Sequence, residues 1–239
     1  MGLSNTIKQA LLAGTIWLLA VPLPASALCW GVGVEDTGPL GQSAYGTQGW
    51  NRAIGNPQSV VHDAHVNSIY VRSHVRNAQG RPQYDAEVGW VSWDRNGENF
   101  DLRSFAAKWD FFDYSLKVFG GGPPEGENVI YKVERHANPR TWWFYENNSR
   151  LYPPAGFDTY RDTWTGFSLV ASERNNKNTD TSYAHFWSIK KRNKTGTWYN
   201  WASPAVWDDT DNASFASIRS STELYILNQF PVPTPFTCN

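Results

Sequence analysis

Between residues 66 and 227 the chain breaks into short runs in which β-branched and aromatic side chains alternate with polar ones. Each run closes on a turn signal rich in Gly, Asn, Asp or Pro. The runs are 66–76, 84–93, 105–112, 128–134, 141–146, 165–173, 183–190, 197–201 and 221–227. No segment sustains helical periodicity, a short turn near 153–160 being the one exception. Asn128–Glu134 and Thr141–Glu146 read as a hairpin joined at 137–139. The prolines of 230–236 exclude a central strand there. Roughly nine or ten short, evenly spaced strands predict an all-β fold, an antiparallel β-sandwich or jelly roll over 59–239. No repeat or linker divides the chain, so a single domain is expected.

The apolar content needed for such a sandwich comes largely from rings: 13 Trp, 11 Tyr and 12 Phe in 239 residues. A formal net charge of −1 gives no electrostatic reason to expect a nucleic-acid or membrane partner. Residues 1–27 read as a secretory signal, with Lys8, an apolar stretch from Ala10 to Val21, and Ala25-Ser-Ala27 before the cleavage point. The expected location is therefore extracellular. Residues 28–58, Gly-rich and weakly patterned, read as an extended lead-in. The two cysteines, Cys29 and Cys238, stand at the ends of the mature chain, and in an oxidising compartment their pairing would close nearly all of it into a ring. The loop-entropy model assigns such a closure roughly 5 kcal/mol.

Within the second run, Tyr84 to Trp93, an acid interrupts an apolar strand. Alternation sends Ala86, Val88 and Trp90 to one face and Glu87, Gly89, Val91 and Trp93 to the other. A carboxylate in such a strand must be paired, protonated or set in a groove. Paired with a neighbouring Arg or Lys it is structural; in a groove it is a functional candidate. Glu173, which ends the run Phe167–Leu169–Ala171, is its natural companion. Two carboxylates sharing a groove divide into an acid and a base, the pair that hydrolyses an amide or a glycosidic bond.

The segments Ser68-Ile-Tyr-Val, Ala86-Glu-Val-Gly-Trp90, Phe105-Ala-Ala-Lys-Trp109, Thr141-Trp-Trp143 and Val170-Ala-Ser-Glu173 together resemble, in order, the neprosin domain of glutamic peptidases. The resemblance covers roughly residues 60 to 190. It implies a β-sandwich in which Glu87 and Glu173 form the catalytic dyad. The family's paired glycines before the second glutamate are here Ala171 and Ser172, and its internal cysteines and propeptide are absent. Trp90, Trp109 and Trp143 are the aromatic candidates for contacting substrate.

Other chemistry is thinly supported. His62 and His65 would need a third ligand such as His185 to hold zinc, and Asp208–Asp211 lacks the glycine and distal glutamate of an EF-hand loop. No metal and no cofactor are expected. There is no Gly-x-Ser-x-Gly elbow and no phosphate-binding loop. Asn147, Asn193 and Asn212 open N-x-S/T sequons. The reading is thus a secreted hydrolase of the glutamic-peptidase kind acting on polypeptide. The rivals are a non-catalytic module holding glycan on outward Trp side chains and a sandwich glycoside hydrolase using the same acids.

Overall fold

The computed structural model describes residues 30–38, 44–53, 64–73, 84–95, 98–110, 114–137, 140–152, 166–174, 184–209 and 214–228. In chain order the strands begin with β1 (Trp30–Asp36), β2 (Gly46–Arg52), β3 (Ala64–Ser73), β4 (Tyr84–Arg95) and β5 (Glu98–Asp110). They continue with β6 (Tyr114–Val118), β7 (Asn128–Ala137), β8 (Arg140–Glu146), β9 (Ser149–Leu151) and β10 (Gly166–Arg174). The last are β11 (Ala184–Arg192), β12 (Trp198–Asn200), β13 (Pro204–Asp209), β14 (Ser214–Ser220) and β15 (Glu223–Asn228). They form one antiparallel sandwich. A seven-stranded sheet runs β13-β1-β10-β3-β4-β5-β6, and an eight-stranded sheet runs β14-β15-β11-β2-β7-β8-β9 with β12 beside β11. No helix long and apolar enough to cross a membrane occurs among the described residues.

Each expected run is a strand, and 128–134 with 141–146 is the β7–β8 hairpin. The lead-in also builds the sandwich: β1 joins the seven-stranded sheet and β2 the eight-stranded one, and Val32, Val34 and Ala53 lie in the core. Glycines at 31, 33, 46 and 49 thin the alternating pattern there, which hides both strands from a periodicity argument. Cys29, Cys238, the signal-like segment and the turn at 153–160 lie outside the described residues.

The inner faces meet over Trp90, Trp142, Trp201, Tyr131, Phe144 and Phe186, all but fully buried. Rings of this size bury large apolar areas, so few of them fill a two-sheet core. Polar stitches cross the same layer. Thr47 on β2 donates to Ser168 Oγ on β10 at 2.8 Å, the Trp201 indole donates to the same oxygen at 2.7 Å, and Ser104 and Tyr131 hydroxyls pair at 3.1 Å. Burial pushes the Tyr131 hydroxyl well above its ordinary value, so it stays neutral.

The strongest stitch is ionic. Lys191 on β11 pairs with Asp36 on β1, both side chains almost wholly buried. Asp36 Oδ1 also accepts the backbone N–H groups of Gly38, Ala202 and Ser203 at 2.9–3.2 Å. Burial pushes this carboxyl up, but the hydrogen bond and charge of Lys191, with the amides of Ser203 and Gly38, outweigh it and hold the group below its ordinary value. Lys191 points inward because of a bulge. Trp187 faces out, Ser188 adopts φ 51° and is skipped by the β11–β2 register, and Ile189 and Lys191 then face in while Lys190 and Arg192 face out.

Candidate functional site

The outer face of the seven-stranded sheet carries the predicted acids. Cross-strand partners share a face, so the register reads as rows. One row holds Leu169 on β10, Tyr70 on β3, Glu87 on β4 and Ala107 on β5. The next holds Gly33, Ala171, Ser68 and Gly89, and the third holds Gly31, Glu173, Val66 and Val91. Glu87 and Glu173 therefore share one face of one sheet, two strands and four residues apart. Standard sheet spacings put their Cα atoms about 13 Å apart along the strands and about 10 Å across them. Glu87 is part-exposed, and of Glu173 the strand position is described.

The intervening row is small. Gly89 is forced by backbone approach, since a Cβ there would stand 2.1 Å from the Asn67 carbonyl oxygen. The row's small side chains make a low strip, a trough in the side-chain layer, and Ala171 and Ser68 within it are each 1% exposed. In its floor, the Ser68 hydroxyl has no hydrogen-bond partner among the described residues. A buried hydroxyl left unmatched costs about 1–3 kcal/mol, so a water or other polar atom reaching Ser68 would gain that bond. Val66, Val91, Phe105 and Ala107 make a buried apolar patch beside it.

Two neighbours of this face were not foreseen. Glu35 on β1 is a third glutamate, in the row of Leu169 and Glu87, overlooked because it lies in the Gly-rich lead-in. Arg72 grips Asp85 from the adjacent strand, its Nε donating to both carboxylate oxygens at 3.1 Å. Burial nonetheless pushes the Asp85 carboxyl above its ordinary value. Asp85 is one same-face step from Glu87 on β4. Alternating Arg and Asp at paired positions of β3 and β4 is the signal that sequence alone offers for this pair.

The three tryptophans expected to contact substrate do not gather around the acids. Trp90 is 0% exposed and fills the core on the opposite side of β4 from Glu87, which corrects its assignment as a substrate contact. Trp109 pairs in register with Asp85, which puts it on the Glu87 face; its side chain lies outside the described residues. Trp143 belongs to the other sheet, facing outward, while Trp142 faces the core as alternation requires. His136 stacks on one side of Trp143 with centroids 3.6 Å apart, and the Arg150 guanidinium lies 4.0 Å from the ring centroid.

On that outer face a different carboxylate sits in a cage. Glu134 lies 3.3 Å from Lys132, 3.2 Å from His136 and 3.5 Å from Arg192. Burial pushes it up, but the charges of Lys132 and Arg192 and the hydrogen bonds of His136 and Lys132 prevail, and it is held below the ordinary glutamate value. Burial also holds His136 below the ordinary histidine value despite Glu134. Of the weak zinc candidates, His185 sits on the eight-stranded sheet and the backbone of His65 on the seven-stranded one, while His62 is outside the described residues. Asp208 and Asp209 are strand residues of β13.

No protein-family model and no curated protein matches the chain. Among solved structures, scytalido-glutamic peptidase bound to a transition-state analogue inhibitor aligns over 84% of this chain and 98% of its own, at 9% identity and TM-score 0.49. SCP-B, an eqolisin-family peptidase in complex with Ala-Ile-His, aligns over the same shares at 9% identity and TM-score 0.42. A tetrameric galectin from the ball sponge Cinachyrella sp. covers 66% of this chain and 96% of its own, at 13% identity and TM-score 0.36. These likenesses carry no inference about the chain's chemistry.

Proposed function

We propose that the protein is a secreted hydrolase that activates water between Glu87 and Glu173 and cleaves polypeptide at acidic pH. The observation that supports it is the trough: two glutamates on one sheet face, separated by a row of small residues whose floor holds the orphaned Ser68 hydroxyl. In this reading the attacking water is held at Ser68, which lies in register between the Glu87 and Glu173 rows. One carboxylate, ionised, takes a proton from this water as it adds to the scissile carbonyl. The other, protonated, delivers its proton to the departing nitrogen, which balances the hydrolysis. The resemblance to the neprosin domain and the signal-like leader support the reading from the sequence side.

The test is cleavage of a denatured protein substrate between pH 3 and 6 by the mature chain, with Glu87→Gln and Glu173→Gln alongside. Loss of cleavage in both variants is expected. Unchanged cleavage in either removes the dyad. Hydrolysis of polysaccharides and not of protein would transfer the same acids to a glycosidase.

A further inference from the structure

The outer face of the eight-stranded sheet is unlike the rest of a chain whose net charge is −1. On β15, β11, β2, β7, β8 and β9, alternation and the bulge at Ser188 turn five cations outward: Lys190, Arg192, Arg52, Lys132 and Arg150. Two carboxylates face the same way, Glu134 and Glu223. Glu134 is held by two of these cations, Lys132 and Arg192, and Glu223 by His185 at 3.0 Å and the Tyr225 hydroxyl at 3.3 Å, so five cations face two carboxylates. The surplus is positive and ordered.

The order is legible in the register. Asn200 pairs with Lys190, Lys190 with Gln48, Gln48 with Lys132, Lys132 with Tyr145, and Tyr145 with Arg150. This single row crosses six strands and alternates a neutral hydrogen-bonding group with a cation at every step. The cations recur on every second strand, about 9.6 Å apart. Neighbouring rings fix two of them: Lys132 lies 3.8 Å from the Tyr145 ring centroid, and Arg150 lies between the rings of Trp143 and Tyr152. Burial keeps the Tyr145 hydroxyl protonated far above neutrality, so it remains a neutral partner.

We propose that this row binds a linear acidic polysaccharide in which charged and neutral sugars alternate. Two linked pyranose rings span about the interval between successive cations. Each carboxylate or sulfate then meets Lys190, Lys132 or Arg150, and the sugars between them meet Gln48, Asn200 and Tyr145. Single-stranded nucleic acid fits less well, because bases need open ring faces. Here the rings cover one another: His185 lies between Tyr225 at 4.2 Å and Trp187 at 4.5 Å, and Trp187 lies beside Trp50 at 6.1 Å. The site is on the opposite side of the sandwich from Glu87 and does not depend on the hydrolase reading.

The mature chain is titrated by fluorescence anisotropy at low salt against labelled hyaluronan and chondroitin sulfate oligomers, with dextran, poly-glutamate and oligo-dT as comparators. Binding to one or both acidic glycans is expected, weakening with salt; preference for hyaluronan identifies the carboxylate, and preference for chondroitin sulfate the sulfate. Lys190→Gln, Lys132→Gln and Arg150→Gln should each raise Kd about 5–10-fold, one neutralised contact apiece, while Lys194→Gln, an exposed cation off the row, should not. Thermal melts confirm that each single variant is folded. No binding to either glycan overturns the proposal. So does equal binding of poly-glutamate or oligo-dT, or equal affinity in all three row variants.

Discussion

The outer faces of the two sheets obey the same alternation, yet they treat a carboxylate in opposite ways. On the eight-stranded sheet Glu134 is surrounded by Lys132, His136 and Arg192 and held ionised. On the seven-stranded sheet Glu35, Glu87 and Glu173 share one face by register. Arg72 grips Asp85, and Arg103 turns to the Gly120 carbonyl. Surrounding cations hold a carboxylate ionised and make it a structural anchor. On the proposed function, the same residue type is scaffold on one side of the sandwich and reagent on the other.

The comparison breaks first if the acids of the seven-stranded sheet are dispensable. Glu87→Gln and Glu173→Gln should each lower kcat/KM by about 10²–10⁴-fold, the range for loss of a general acid or base, with the far-UV spectrum unchanged. Next comes the link between the sheets. Asp36→Asn leaves the Lys191 charge buried without its counter-ion and should cost about 3–5 kcal/mol in urea unfolding. A loss under 1 kcal/mol would mean that water reaches the pair.

A smaller effect tests the trough itself. Ser68→Ala should lower kcat about fivefold with KM unchanged, equivalent to one hydrogen bond of about 1 kcal/mol to the attacking water. A change in KM alone would make Ser68 a substrate contact instead. The smallest concerns acid. Asp36 and Glu134 both have folded values below their unfolded ones, so their stabilisation is complete above about pH 4–5 and disappears as pH falls through the folded values. Glu134→Gln should remove about 1–2 kcal/mol at pH 7 and flatten the loss below pH 4. An identical pH slope in wild type and variant would mean that the cage holds no differential charge.

Much of the sandwich is visible in its sequence because period-two alternation survives wherever a strand has one face in the core. The strands without that contrast are the ones missed. β1 and β2 are diluted by glycine, and β6, β9, β13 and β14 are the edge strands of the two sheets. Glu87 stands out as an acid among rings, and its shared face with Glu173 follows from parity. The trough needs register: that Ser68 faces Gly89 and Ala171 depends on how β3 is set between its neighbours, which no single strand encodes. The cationic row needs the Ser188 bulge as well. Strict alternation from His185 and Trp187 would turn Lys190 inward and Lys191 outward, reversing both the row and the buried ion pair.

The strand order also governs when the molecule can fold. β1 lies between β10 and β13, and β2 between β7 and β11. The segments synthesised first therefore have no partners until more than half of the chain exists, and β1 waits for residue 204 and beyond to gain its second neighbour. Such distant pairing makes folding slow, since long loops must close before any ladder forms. β1 thus enters the sheet only after β10 is made, and it depends on residues 204–209 to complete its ladder.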